Sequence, residues 1–425
     1  MSNASKALIH IVNHSFLVGG AVRDSLLGLA VKDKDHLVVG ITEQQMLDAG
    51  FNRVGKDFPV FLHPESKEEY ALARTEKKQG HGYSGFVCYA SPEVTIEQDL
   101  MRRDLTINAI AQNERGELVD PYHGEDDIKQ KVLRHVSPAF VEDPLRVLRV
   151  ARFASRFYPQ GFTIASETIQ LMQEISASGE LEKLSAERIW QETERSLAQS
   201  HPDVYFEVLR KSGALKVLFP TLEKLWGVPN PAQWHPEICS GIHTMMTLQQ
   251  AAKLSNKTSV RFAALCHDLG KGLTQEQHWP SHRGHEKAGV PLINDLCDKL
   301  RIPNEHRRLA VKVSEFHLHC HRAFELKAST LLKMLNALDV WRNPEFYQDF
   351  ILACQADFLG RAGFEHKTYH QAKFLADILS AAQTVTAKEF IAQGIQGKDI
   401  KEAMDKAKLA QIKKVIQRYQ NVTQE

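Results

Sequence analysis

The sequence predicts an α+β protein in which a mixed N-terminal part precedes a helical remainder. From Phe16 to about Val136, short apolar runs of strand type alternate with helical segments. After Val141, apolar residues recur every three or four positions, a spacing typical of packed helices. Pro229, Pro231 and Pro236 then cluster, and prolines this close together predict a boundary between domains.

The first predicted strand leads directly into a glycine turn. The apolar run Phe16 to Val18 has strand character, Gly19 and Gly20 form the turn, and a helix begins near Ala21. The free N–H groups and positive dipole end of that helix face the turn, and Arg23 adds a forked donor for phosphate. The sequence therefore predicts an anion cradle suited to a triphosphate.

Two acidic residues mark the next predicted strand. Asp33 and Asp35 precede the apolar run Leu37 to Val39, and on a strand both carboxylates project from the same face. Lys32 and Lys34 would point to the other face and leave the carboxylates unneutralised. Such a pair can hold Mg²⁺, and two ions bridged by carboxylates would activate an attacking hydroxyl and stabilise a departing pyrophosphate. A solvated strand end is the alternative for an isolated pair.

A row of arginines characterises the helix that opens the helical part. The segment Glu142 to Arg156 begins with acidic residues and a proline, which is typical of a helix N-terminus. Arg146, Arg149, Arg152 and Arg156 step by three or four and share one face. A solvated basic face is the alternative, but beside a triphosphate cradle we favour nucleotide binding.

Asp143 and Arg146 form an acceptor and a donor predicted to lie one helical turn apart. Adenine and cytosine both present an exocyclic amine beside a ring acceptor, whereas guanine and uracil present the reverse pattern. One such pair can therefore read C and A and reject G and U. A mismatched base would leave buried polar groups unpaired, at a cost of about 1–3 kcal/mol per group. This pairing suits synthesis of the sequence C-C-A without a nucleic-acid template.

The order and spacing of these motifs resemble the nucleotidyltransferase superfamily of DNA polymerase β, in its class II tRNA nucleotidyltransferase and poly(A) polymerase branch. The resemblance implies a polymerase-β-like nucleotidyltransferase head with a small mixed or antiparallel sheet, followed by an all-α neck and body. It assigns base selection to Asp143 and Arg146, and contacts with the incoming nucleotide to Arg149 and Arg152.

The same resemblance covers two further segments of the head. The run Arg102 to Ala109, RRDLTINA, matches a family motif whose second arginine binds nucleotide, so Arg103 is expected to do so here. The stretch from Ala73 to Phe86 matches a segment with a glycine-rich loop, which we expect to be mobile while the pocket refits from C to A. Met1 to Asn13 precede the first motif as an extension that family members often lack.

Histidines are concentrated in a later part of the chain, since ten of the 20 lie between His235 and His321. The adjacent pair His267 and Asp268 follows His243 and precedes Asp357. This order resembles the HD phosphohydrolase family, whose H…HD…D ligands hold a catalytic divalent metal. Imidazole and carboxylate together suit a borderline transition metal, which would lower the pKa of bound water for attack on phosphorus.

For this domain we expect a divalent transition metal, with Ni²⁺ one candidate, or Mg²⁺. The alternative is a local His-Asp pair in a helical core. Asp357 has the least support of the four ligands, because its distance along the chain adds nothing independent. The roles of three further histidines stay open: they could be metal ligands, contact the substrate or be structural. These are His282, His285 and His317.

These resemblances divide the chain into four predicted regions. They are the nucleotidyltransferase head (1–139), a helical neck and body for base selection and tRNA binding (140–237), the HD domain (238–365) and a helical C-terminal tail (366–425). The formal net charge is only +1, so tRNA binding must depend on local patches instead of the overall field. One candidate for such a patch is the segment Lys398 to Arg418. It could contact RNA, or it could be a solvated helix, and the sequence leaves both interpretations open.

Cysteine usage and hydropathy indicate a cytoplasmic protein. No C-x-x-C pair occurs, so neither a zinc knuckle nor a disulfide framework is predicted. The sequence has no recognisable signal peptide or membrane-spanning run. The six cysteines are Cys88, Cys239, Cys266, Cys297, Cys320 and Cys354.

Over nearly the whole chain, the sequence is similar to bacterial multifunctional CCA-adding enzymes, which carry an HD domain. This resemblance implies template-independent addition and repair of the 3′-terminal CCA of tRNA from CTP and ATP, with Mg²⁺ as cofactor and pyrophosphate as product. For the HD domain it implies 2′,3′-cyclic phosphodiesterase, 2′-nucleotidase and phosphatase activities. The implied partners are the tRNA acceptor end, CTP and ATP; no protein partner or membrane is implied, and the enzyme would be a monomer or homodimer.

Two other functions stay open on the sequence. The first is a poly(A) polymerase, which can recognise its base with the same pair, Asp143 and Arg146. The HD domain and the lack of a long basic tail argue against this function. An HD phosphohydrolase could retain a degenerate head that only binds RNA. Intact Asp33 and Asp35 argue against that second alternative.

Overall fold

A computed structural model describes residues 3–54, 60–78 and 86–422, which fold as two compact units. The first unit comprises Met1–Thr193 and Val204–Leu218. The second comprises Glu194–Asp203 and Phe219–Glu425. The predicted mobile loop falls within residues 79–85, outside the described part of the chain.

The described strands belong to the first unit, and most are short. In chain order they are β1 (Ser15–Val18), β2 (Asp35–Val38), β3 (Asn52–Val54), β4 (Val60–Leu62), β5 (Glu69–Leu72), β6 (Arg74–Lys78), β7 (Phe86–Ala90), β8 (Ala111–Gln112), β9 (Leu118–Val119), β10 (Val132–Leu133) and β11 (Thr163–Ile164).

Seven of these strands form one sheet in the order β3-β4-β5-β2-β1-β8-β9. Strands β2 and β5 run parallel, whereas β1 pairs antiparallel with both β2 and β8. The prediction of a small mixed sheet is therefore confirmed. Strands β6 and β7, and strands β10 and β11, form separate two-stranded pairs.

Alternation along β2 places apolar residues on both faces of the sheet. Leu37 packs in one core cluster with Val18 and Leu100, whereas Val38 packs in another with Ile11 and Met46. Because neighbouring residues of a strand point to opposite faces, the sheet is covered on both sides. This packing fixes the end of the sheet where β1 leads into the glycine turn.

Helices occupy the remainder of the first unit and nearly all of the second. Up to Leu218 they are α1 (Asn3–Asn13), α2 (Gly20–Leu26), α3 (Glu43–Asp48), α4 (Ile96–Met101), α5 (Gly124–Gln130), α6 (Leu145–Phe157), α7 (Ser166–Ala177), α8 (Ala186–Leu197), α9 (Pro202–Lys211) and α10 (Ala214–Leu218). Those that follow are α11 (Pro220–Glu223), α12 (Ser240–Leu254), α13 (Thr258–Cys266), α14 (His285–Leu300), α15 (Asn304–His321), α16 (Ala328–Ala337), α17 (Pro344–Leu359), α18 (His370–Gln383), α19 (Ala387–Ala392) and α20 (Lys398–Val422).

Two predictions about local structure need correction. Strand β2 begins at Asp35, so Asp33 lies in the irregular segment before it and strand alternation does not fix its direction. Helix α6 begins at Leu145, and Asp143 has extended backbone, so Asp143 and Arg146 are not separated by a turn of helix. In the described residues, no helix is long and apolar enough to cross a bilayer.

Candidate functional site

The glycine turn brings two arginines to the end of β1. Gly19 has a φ of +67°, which favours glycine, and its N–H donates to the Ile110 carbonyl at 3.3 Å. A Cβ on Gly19 would lie 2.8 Å from Nη1 of Arg103, and one on Gly20 would lie 3.4 Å from Nη2 of Arg23. The predicted residues Gly20, Arg23 and Arg103 therefore meet at one place.

Arg23 lies beneath this turn and is only 3% exposed. Its Nε and Nη2 donate to Oδ1 of Asp24 at 2.9 and 2.7 Å, and its Nη1 donates to the side chain of Asn108. The guanidinium was predicted to face a phosphate. In the structure its donors contact Asp24 and Asn108, and its Nη2 lies close to Gly20.

Carboxylates lie at the start of the central strands β2 and β5, next to the glycine turn. Asp35 pairs with Val18 across β1 and β2, and with Glu69 across the parallel strands β2 and β5. Register partners on parallel strands project to the same face, so Glu69 accompanies Asp35. Asp33, Asp35 and Glu69 are all exposed. The sequence analysis missed Glu69, because only strand pairing reveals that it lies beside Asp35.

The R-R-D motif connects this turn to α6. Buried Asp104 accepts from Nε of Arg149 at 2.7 Å and from Nδ2 of Asn108 at 2.8 Å. Burial alone would raise the pKa of Asp104, but Arg149 and Asn108 hold it well below its usual range. Arg103 donates to Asp99 at 3.3 Å and to the Asn108 carbonyl at 3.4 Å.

The arginines of α6 surround an aromatic ring. The guanidinium carbon of Arg152 lies 4.3 Å from the centre of the Phe153 ring, and that of Arg149 lies 5.7 Å away. Arg23 approaches the same ring at 5.1 Å. Arg152 also donates to Glu192 at 2.6 Å. The predicted nucleotide-binding arginines thus lie around one ring, each paired with a carboxylate; the side chain of Arg149 is 34% exposed and that of Arg152 is 11% exposed.

The proposed base-reading residues both have protein partners. Asp143 accepts from the Leu145 N–H at 3.0 Å and from Nη2 of Arg188 at 2.9 Å. Arg146 is largely buried and donates to the main-chain carbonyls of Ala139, at 2.6 Å, and Arg102. Arg188, which sequence reasoning missed, comes from α8 and has no sequence signal linking it to Asp143.

In the second unit, the four predicted HD ligands come together. Nε2 of His243 lies 3.0 Å from Oδ1 of Asp357, and Nε2 of His267 lies 3.7 Å from the same oxygen. His267 Nε2 is also 3.1 Å from Oδ2 of Asp268. Each of these four residues is at most 3% exposed. Helices α12 and α17, with the turn that directly follows α13, therefore supply one buried cluster.

Asp268 also joins a second group of potential ligands. Its Oδ1 lies 3.2 Å from Nε2 of His285 and 3.7 Å from Nε2 of His317, and Nζ of Lys271 lies 2.6 Å from Oδ2. His285 and His317, left open by the sequence, are thus part of the cluster. His282 instead lies 2.8 Å from the Pro229 carbonyl through Nε2.

The ring orientations of these histidines suit a cation. In three of the rings, Nδ1 lies close to a main-chain carbonyl. Nδ1 of His267 is 2.7 Å from the Ala264 carbonyl, and Nδ1 of His285 is 2.7 Å from the His282 carbonyl. Nδ1 of His317 is 3.0 Å from the Ser314 carbonyl. A carbonyl can only accept, so Nδ1 carries the proton and Nε2 faces the carboxylates. His267 Nε2 and Asp268 Oδ1 are buried and form no hydrogen bond of acceptable geometry with the described residues. These atoms fit a divalent metal, which would satisfy both.

The cluster has an anionic character. Burial lowers the pKa of His267, but the carboxylates of Asp268 and Asp357 outweigh it and raise that pKa to about 9. Burial lowers the pKa of His317 well below its usual value. In the described residues, the potential metal-ligand groups contain His, Asp and Glu only, and the described cysteine side chains are free thiols.

Comparisons with known proteins agree with both halves of this description. Residues 15–134 match the poly A polymerase head domain, residues 161–225 match the probable RNA and SrmB-binding site of polymerase A, and residues 241–343 match the HD domain. The multifunctional CCA protein of Hahella chejuensis (strain KCTC 2396) is 55% identical over 399 residues, which is 94% of each chain. The chain belongs to the multifunctional CCA protein family.

Solved structures show the same fold at low sequence identity. The CCA-adding enzyme in apo form II has a TM-score of 0.65 at 19% identity, with 99% of both chains covered. The Thermotoga maritima CCA-adding enzyme complexed with tRNA has a TM-score of 0.60 at 20% identity, also with 99% of both chains covered. In this member of the multifunctional CCA protein family, a polymerase head is followed by a helical body and an HD domain, as predicted.

Proposed function

We propose that this protein adds and repairs the 3′-terminal CCA of tRNA, using CTP and ATP and releasing pyrophosphate. The observation that carries the proposal is the meeting of Gly20, Arg103 and Arg23 beside the carboxylates of Asp35 and Glu69. Membership of the multifunctional CCA protein family supports the same reaction.

Each side chain at this site has a distinct role. Asp33 and Asp35, with Glu69 beside them, would hold Mg²⁺. When bound, Mg²⁺ lowers the pKa of the attacking 3′-hydroxyl and neutralises charge on the leaving pyrophosphate. The N–H groups that follow Gly19, including that of Gly20, would hold the triphosphate together with the guanidinium of Arg23.

The remaining contacts position the nucleotide and select its base. Arg103 lies against the turn, where it would bind phosphate, and Arg149 and Arg152 present their guanidinium groups on one surface. Asp143 would accept from the exocyclic amine of C or A, and Arg146 would donate to the ring acceptor. Arg188 would hold the Asp143 carboxylate in the receiving orientation.

Nucleotide addition is tested with a tRNA that ends at its discriminator base. CTP alone, ATP alone and both together are supplied, and product length is resolved at single-nucleotide resolution. We expect two additions with CTP alone and three with both. A long ladder with ATP alone would replace this proposal with a poly(A) polymerase, because that enzyme would lack a limit at three nucleotides.

We further propose that the second unit hydrolyses phosphate esters, including 2′,3′-cyclic phosphates, 2′-nucleotides and phosphomonoesters. Two groups of buried ligands support this activity, one with His243 and His267 and one with His285 and His317, both including Asp268. A divalent ion such as Ni²⁺ or Mg²⁺ would there provide Lewis acidity for attack on phosphorus. Lys271 lies beside Asp268, where its ammonium can attract a phosphate.

Hydrolysis is tested with a 2′,3′-cyclic mononucleotide, a 2′-nucleotide and a phosphomonoester, after chelation and re-addition of single metals. We expect activity to require His267 and a divalent ion. Activity that persists in the H267A variant at the wild-type rate would contradict the proposal. Such hydrolysis would clean damaged tRNA ends before CCA repair, in the cytoplasm.

A further inference from the structure

We propose that Glu237 is a positioning residue that directs Nε2 of His243 into the metal site. This inference rests on the proposed metal-dependent function of the second unit. It concerns a carboxylate outside the H…HD…D pattern. Glu237 precedes α12, whereas His243 lies in the first turn of that helix.

Glu237 has a tightly defined set of partners. Its Oε1 lies 2.9 Å from Nδ1 of His243 and 2.9 Å from Nδ1 of His235, and its Oε2 accepts from the Ala362 N–H at 3.2 Å. Its side chain is 4% exposed. Hydrogen bonds link the carboxylate to Nδ1 of His235 and to the Ala362 N–H. Nδ1 of His243 forms no hydrogen bond of acceptable geometry with the described residues, but it lies 2.9 Å from the negative charge of Glu237. That charge favours a proton on Nδ1 and leaves the lone pair on Nε2.

This arrangement completes a pattern among the four histidines. His267, His285 and His317 each direct Nε2 inward because Nδ1 meets a main-chain carbonyl. For His243, the Glu237 carboxylate takes the place of that carbonyl. A charged acceptor makes the imidazole a stronger ligand as well as fixing its tautomer.

The backbone that carries Glu237 is strained. Ile238, the next residue, has a φ of +61°, an unfavourable value for a β-branched side chain. The Cys239 N–H donates to the Glu237 carbonyl at 2.7 Å, and the Asn230 N–H donates to the Ile238 carbonyl at 2.6 Å. Such strain persists where surrounding contacts determine the conformation, and it is concentrated at functional sites. The tight turn aims the Glu237 side chain at His243.

An equivalent arrangement lies on the opposite side of the cluster. Asp357 presents Oδ1 to His243, while its Oδ2 lies 2.6 Å from Nε2 of His321. Nδ1 of His321 in turn lies 3.0 Å from the hydroxyl of Tyr369. Glu237 and the pair of His321 and Tyr369 therefore determine which atoms of His243 and Asp357 face inward.

The test uses the full-length protein and Ni²⁺ alone as the probe. Affinity and stoichiometry are measured by competition with a chromophoric chelator for the wild type, E237Q and Y369F. We expect E237Q to bind Ni²⁺ roughly 10- to 100-fold more weakly with unchanged stoichiometry, as is usual when an outer partner of a ligand is lost. Y369F should be weakened severalfold, because His321 keeps its contact with Asp357.

Controls separate positioning from folding and from direct ligation. E325Q removes an exposed carboxylate of the same unit, paired with Arg322, and should bind as the wild type does. Nucleotide addition by E237Q should be retained. Wild-type affinity in E237Q would overturn the inference, and so would loss of a whole equivalent of Ni²⁺, because Glu237 would then be a ligand.

A second measurement does not depend on metal binding. In protein labelled with ¹⁵N-histidine, the nitrogen shifts should show His243 protonated at Nδ1 in the wild type and a mixture of tautomers in E237Q. A wild-type His243 protonated at Nε2 would overturn the inference. If the tautomer is as expected but Ni²⁺ does not bind, the proposed metal function fails instead.

Discussion

Nε of Arg149 donates to Oδ2 of Asp104 at 2.7 Å, which ties the arginine helix α6 to the R-R-D motif. Asp104 also accepts from Asn108, and Asn108 accepts from Arg23 beneath the glycine turn. A continuous polar chain therefore joins an arginine expected to contact the incoming nucleotide to the turn expected to hold the phosphates. A substitution at one end of this chain should therefore alter the positions of the side chains at the other end.

The D104N variant should be less stable than the wild type by about 3 kcal/mol at neutral pH, because it leaves a partly buried guanidinium without its charged partner. The pKa of Asp104 is depressed in the folded state, so its stabilisation is complete above the unfolded pKa of about 3.9 and is lost as the pH falls below it. Urea unfolding from pH 7 to pH 3 should show the difference from the wild type shrinking. The matched control D126N, at an exposed position, should show no difference at either end; a pH-independent gap for D104N would contradict the argument.

Replacement of Gly19 by alanine should impair nucleotide addition. Its φ of +67° strains any side chain, and the added Cβ would displace Arg103. A displacement of about 1 Å at such a site lowers the rate by roughly 100-fold. Gly28 has a φ of +68° with nothing within 4 Å of an added Cβ, so G28A is subject to the strain alone. Equal addition rates for G19A and G28A would show that Arg103 is not positioned by the turn.

Neutralising any of the three carboxylates beside the glycine turn should impair nucleotide addition. D33N and D35N should each reduce addition by about a thousandfold or more, since several kcal/mol of charge stabilisation is lost. E69Q should also reduce addition, because Glu69 lies beside Asp35. Hydrolysis of a 2′,3′-cyclic nucleotide by the same preparations serves as the folding control. Full addition activity in both D33N and D35N would refute the metal assignment.

Arg188 should influence the choice of base through Asp143. In R188Q the carboxylate loses a charged donor, so discrimination of CTP over UTP should fall by about tenfold, the equivalent of one hydrogen bond. Single-turnover incorporation of each nucleotide measures the ratio. R115Q, at an exposed position of the same unit, is the control. If R188Q slows CTP and UTP equally, Arg188 is structural.

The two ligand groups that share Asp268 should bind separate metal ions. Burial lowers the pKa of His317, so its ring is neutral at pH 7 and can act as a ligand. We expect H317A and H243A each to bind one equivalent of Ni²⁺ fewer than the wild type. Metal analysis after gel filtration provides the count. A wild type that binds a single equivalent would rule out the second site.

Motif spacing was sufficient to predict the order of the domains, the glycine turn and the clustering of His243, His267, Asp268 and Asp357. It was not sufficient for Glu69, because a parallel pairing between distant strands leaves no local pattern. Glu237 was missed for a similar reason: the role we propose for it depends on a strained turn at Ile238. Helical periodicity placed Asp143 and Arg146 on one turn, but the helix starts only at Leu145, after Pro144.

The division of the chain between its two units has a practical consequence for testing the two proposed activities separately. Residues 194–203 belong to the second unit although residues 204–218 return to the first. Within that short segment, the main-chain carbonyls of Leu197 and Gln199 accept hydrogen bonds from the buried guanidinium of Arg261. An HD fragment expressed from residue 219 onward would keep the Ser255 and Ala252 carbonyls for Nε and Nη2 of Arg261, but Nη1 would lose both of these acceptors in the interior, which is costly. Point variants, not truncations, are therefore the sound way to assign each activity to its unit.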